Sequence, residues 1–83
     1  MVFFALTRTG YEEFVRLLGV NQNFALWVNK DVLNDVELAH VRAASLSVTN
    51  FMRNIDIADR ASVDDALDTI REHHSHESIW VEC

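Results

Sequence analysis

Proline is missing from this chain, and its 83 residues hold only two glycines, one cysteine and one lysine. With Cys83 as the lone thiol, no disulfide forms within one chain. The longest apolar stretches fall far short of the roughly 20 residues that cross a bilayer. The opening Met1-Val2-Phe3-Phe4-Ala5-Leu6 has no basic segment before it and is shorter than a signal-peptide core, so it reads as a strand. A single cysteine and no export signal lead to the expectation of a cytoplasmic protein. Positive charge is scarce too. Thirteen acidic residues face seven basic ones, for a formal net charge of −6. Phosphate backbones and anionic membranes are bound by clustered Lys and Arg, which are missing here. Nucleic acid and membrane are therefore not expected partners.

What remains is a balanced globular composition, 49% hydrophobic and 24% charged. The length suits one domain over residues 1–83, and a domain so small gains stability from a partner subunit when it has no disulfide or metal.

The apolar runs 2–6 and 24–28 read as buried strands. Between them, Tyr11, Phe14, Val15 and Leu18 fall on one helical face. Thr9 and Glu12 have capping-box spacing, and Gly19 is a natural stop. A second helix starts at Asn34, with Glu37 three residues on and Leu33 and Leu38 as a hydrophobic staple. It is expected to reach about Ala44, with Leu38, Val41 and Ala44 as its stripe ending before Ser45. Residues 46–51 alternate enough for an edge strand. A third helix is expected from Ser62, with Val63, Ala66, Leu67 and Ile70 inward, and residues 78–82 close the chain as a last strand.

This order, β-α-β-α-β-α-β, predicts an α/β fold with a small, mainly parallel four-stranded sheet and helices on both faces. The two fully apolar strands belong in the centre, which favours strand order 3-2-1-4. The first two helices then share one face. The third alone is too narrow for the other, so part of that face is expected to stay bare and to be covered by a second copy of the chain.

Ligands of open parallel sheets sit beyond the carboxyl ends of the strands, where the order reverses. The sequence reading places that point between the first and last strands. It makes Thr7, Arg8, Thr9, Gly10 and Lys30 candidate ligand-binding residues, with Glu82 and Cys83 opposite. Arg8 beside the free N–H groups of a helix start suits a phosphate or carboxylate; the plainer reading is a cap, a turn and a solvated arginine. His73, His74 and His76 have a metal-ligand composition, but two neighbours on a helix point about 100° apart, so no metal site is expected. Asp56, Asp59, Asp64, Asp65 and Asp68 read as turn and helix-start residues before they read as a magnesium site. Cys83, beside Glu82, has no base to activate it. Trp80, on an outer strand, is the candidate interface residue.

No catalytic constellation and no cofactor motif is legible. The expectation is therefore a non-enzymatic protein-interaction module, homodimeric or bound to another protein. The alternative is a small-ligand or anion-binding domain using the Thr7–Gly10 turn.

Overall fold

The structure is a computed structural model, and it describes residues 1–19, 23–44 and 46–83. The Leu18 side chain and Ser45, both invoked above, lie outside the described residues. The elements run β1 (Val2–Ala5), α1 (Arg8–Leu18), β2 (Ala25–Val28), α2 (Asp35–Ala43), β3 (Ser47–Asn50), α3 (Arg60–His73) and β4 (Ile79–Glu82). All strand pairs are parallel and the order is β3-β2-β1-β4, as expected for two apolar strands buried at the centre.

Alternation along the strands divides the core in two. Phe3, Ala5, Leu26, Val28 and Val48 pack with Phe14 of α1 and Leu38 and Val41 of α2. Val2, Phe4 and Trp27 face the other way, against Ala66 and Ile70 of α3. So α1 and α2 share one face and α3 covers the other.

The bare face expected on the α3 side is absent. Phe51 and Ile55, in the connection from β3 to α3, fold under the sheet beside α3 and are 8% and 1% exposed. Trp27 beneath them is only 5% exposed, its ring 5.4 Å from that of Phe51. An irregular segment completes the layer that one helix leaves unfinished. Among the described residues, no helix is long and apolar enough to cross a membrane.

Two helix starts differ from expectation. α1 is capped by Thr7, whose hydroxyl accepts from Gly10 N–H at 3.1 Å, and not by a Thr9–Glu12 box. The earlier start turns Gly10 and Phe14 inward and leaves Val15 40% exposed. α3 starts at Arg60 with Asp59 as its cap. The α2 start is as expected: Asn34 and Glu37 exchange both capping-box bonds, and Leu33 and Leu38 lie in one cluster. Ala44, expected on its buried stripe, caps the helix and is exposed.

Candidate functional site

Connections leaving β1 and β2 turn to the α1–α2 face, and the connection leaving β3 turns to the α3 face. The backbone therefore parts at the carboxyl ends of β2 and β3, the geometry that opens a crevice in such sheets. A cleft of about 330 Å³ lies there, lined by residues of all three connections: Leu6, Thr7 and Arg8; Asn29 to Val32; and Asn54 to Ile57.

The gap between β1 and β4, where the sequence reading placed the site, is closed. A Cβ added to Gly10 would stand 2.6 Å from the Glu82 carbonyl oxygen, so the first turn of α1 presses on the last residue of β4. Thr7, Arg8 and Lys30 line the cleft; Thr9, Gly10, Glu82 and Cys83 are not among its walls. Cys83 is exposed.

Asn29 holds the three connections together. It is the residue immediately after β2, 5% exposed, and the one buried polar side chain among the described residues. Its Nδ2 donates to the carbonyls of Leu6 (3.1 Å) and Ile55 (2.8 Å). Its Oδ1 accepts from the N–H groups of Lys30 and Ile55, both at 2.8 Å. Two donors and two acceptor lone pairs are the full capacity of an amide side chain. Asn29 thus forms the floor of the cleft and has nothing left for a ligand. Nothing local in the sequence singles it out.

The rim is set by a tight turn. Val32 N–H reaches the Asn29 carbonyl at 3.3 Å, and Asp31 adopts φ 65°, a conformation aspartate tolerates better than most residues. Lys30, second in this turn, is exposed at the rim. Among the described residues, Lys30 is the only lysine or arginine whose side chain has neither an ion pair nor a hydrogen bond. Arg16, Arg53, Arg60 and Arg71 pair with Glu13, Asp65, Asp64 and Asp68, and Arg42 donates to the Val48 carbonyl.

Arg8 is committed elsewhere. Its Nη1 lies 2.7 Å from Glu37 Oε2 and donates to the Val32 carbonyl at 3.1 Å, while the guanidinium sits 5.2 Å from the Tyr11 ring centre. It clamps the start of α2 onto α1. The Asn34 N–H first, and then Arg8, hold the Glu37 carboxyl below the usual carboxylate range. Burial raises the Tyr11 hydroxyl, with Arg8 opposing it. Two carboxylates also line the cleft. Asp56 Oδ1 accepts from Ala58 N–H at 2.9 Å, and Asp31 stands beside Lys30.

Trp80, the expected interface residue, is half-buried. Its ring packs 5.4 Å from that of Phe3, and its Nε1 donates to Glu82 Oε1 at 3.1 Å. Val81, next to it on the outer strand, is 37% exposed. The histidines and the aspartate series form no group of three or more His, Cys, Asp or Glu side chains placed to share an ion, among the described residues.

Comparison with protein-family models, with curated proteins and with solved structures finds no match to this chain.

Proposed function

We propose that this chain is a small-ligand-binding domain, and that its ligand carries an anionic group seated at the carboxyl-end cleft. The observation that carries the reading is Lys30: its unpaired ammonium stands at the rim of a cleft, whereas every arginine among the described residues has a partner. Pockets for small molecules run from about 300 Å³ upward, so this one suits a ligand of few heavy atoms. Leu6, Val32 and Ile55 supply apolar wall, and Asp31 and Asp56 disfavour a ligand with more than one anionic group. The fixed floor at Asn29 keeps the three connections in register, so little ordering accompanies binding.

Thermal unfolding in inorganic phosphate and in acetate, against chloride at matched ionic strength, tests this. Binding to the folded state alone adds about 2.7 kcal/mol at a hundredfold excess over Kd. A saturable rise in melting temperature that Lys30→Ala abolishes, with unliganded stability unchanged, is the expected result. Equal behaviour of the three anions, or an undiminished rise in Lys30→Ala, refutes the reading.

A second reading, an interaction module, is favoured by the outer strand β4, where Val81 is exposed beside half-buried Trp80. A second copy pairing along this edge would make a homodimer. Sedimentation giving twice the 9.5 kDa chain mass, restored to one chain by Val81→Lys, supports it. A single-chain mass at all concentrations refutes it.

A further inference from the structure

At the opposite end of the sheet, the last turn of α3 meets β2 through a histidine. Trp27 Nε1 lies 3.3 Å from His74 Nε2. An indole nitrogen only donates, so Nε2 of His74 is the acceptor and must carry no proton. The ring's proton is then on Nδ1, where it is donated to Glu77 Oε2. The tautomer follows from the two partners.

We propose that the Trp27–His74 hydrogen bond is a proton-operated latch, which holds the C-terminal end of α3 against the sheet and releases it when the imidazole is protonated. An imidazolium donates from both nitrogens, so its Nε2–H and the Trp27 N–H confront each other as two donors. The Glu77 bond persists and becomes an ion pair, because Nδ1 donates in either state. The bond that changes is the one between elements. The other groups around His74 do not replace the lost acceptor. His73, whose ring lies 5.5 Å from Trp27, directs its Nδ1 to the Thr69 carbonyl at 3.0 Å. The Met1 amino group lies 2.7 Å from Glu77 Oε1. That amine first, and then His74, hold the Glu77 carboxyl below the usual carboxylate range, so it stays charged throughout the window concerned.

The test is a titration of the 15N-labelled protein from about pH 8 to about pH 5, reading the indole N–H of Trp27. The Trp80 indole, bonded to Glu82 on the other face, is the internal reference. The Trp27 signal is expected to lose its hydrogen-bonded position on acidification, with faster solvent exchange, at the same midpoint as the His74 ring protons. His74→Gln offers a carbonyl acceptor that does not titrate, and should hold the signal still. His73→Gln should leave the movement intact. A Trp27 signal that stays fixed in the native protein, moves with a midpoint different from that of the His74 ring, or moves equally in His74→Gln overturns the proposal. A fixed Trp27 signal or a mismatched midpoint in the native protein overturns the proposal without any variant, so failure of a variant to fold leaves the test standing.

Discussion

Replacing Asn29 by alanine should be among the most damaging single changes in this chain. The side chain makes four hydrogen bonds, to Leu6, Lys30 and both backbone groups of Ile55. Its removal strands two carbonyls and two N–H groups. A buried polar group left without its partner costs about 1–3 kcal/mol. Lys30 is exposed at the rim, where water can replace the amide at its N–H. Leu6 and Ile55, 3% and 1% exposed, have little such relief. Counting the two Ile55 groups alone gives a loss of about 2–6 kcal/mol. A domain of 83 residues has roughly 4–12 kcal/mol in total. Urea unfolding followed by circular dichroism is the assay. With a slope near 1 kcal/mol/M, the midpoint should fall by about 2 M or more. Asn29→Asp keeps the size but turns a carboxylate toward the Leu6 and Ile55 carbonyls, and should do no better. Asn54→Ala, exposed in the same cleft, is the control and should stay within about 0.5 kcal/mol. An Asn29→Ala cost no larger than that of the control would refute the reasoning.

Gly10→Ala sets a methyl group 2.6 Å from the Glu82 carbonyl oxygen, and the shift it forces between α1 and β4 should cost about 1–3 kcal/mol in the same assay; an unchanged midpoint would show that the two elements are not pressed together. Asn34→Ala should cost about 0.5–2 kcal/mol while Asn34→Asp or Asn34→Ser retains most of the stability, because the cap accepts from Glu37 N–H. Glu37 ionises more readily folded than unfolded, so its contribution is present above the ordinary carboxylate pKa and is lost as pH falls through the lowered folded value. Unfolding midpoints measured from about pH 6 downward should therefore fall less steeply in Glu37→Gln than in the native chain; equal slopes would remove Glu37 from the acid limb.

The parts of this fold that are legible in the sequence are those written in neighbouring residues. Asn34, Glu37, Leu33 and Leu38 mark the start of α2 within six positions, and the unbroken apolar runs of β1 and β2 put those strands at the centre. The start of α1 is different. Thr7 and Thr9 are both plausible caps locally, and what separates them is Gly10 meeting Glu82, a contact across 72 positions of chain. Phe51 reads as the last residue of an edge strand and Ile55 shows no period, whereas both lie in the connection from β3 to α3, so their coverage of the sheet was invisible. The cleft was half legible: Thr7, Arg8 and Lys30 follow strand ends, but the parting of the chain depends on where β3 sends its connection. Asn29 carried no local signal, since a buried asparagine and a solvated one after a strand look alike. Arg8 looked free because its partner Glu37 lies 29 positions away.

The central claim is that the cleft between the three connections is a binding site anchored by Lys30. Backbone amide spectra recorded while inorganic phosphate or acetate is added, at constant ionic strength, test it most directly. Saturable shifts confined to Arg8, Lys30 to Val32 and Asn54 to Ile57, and lost in Lys30→Ala, are the predicted result. Shifts spread over the surface without saturation, or centred on Thr9, Gly10 and Glu82, would contradict it.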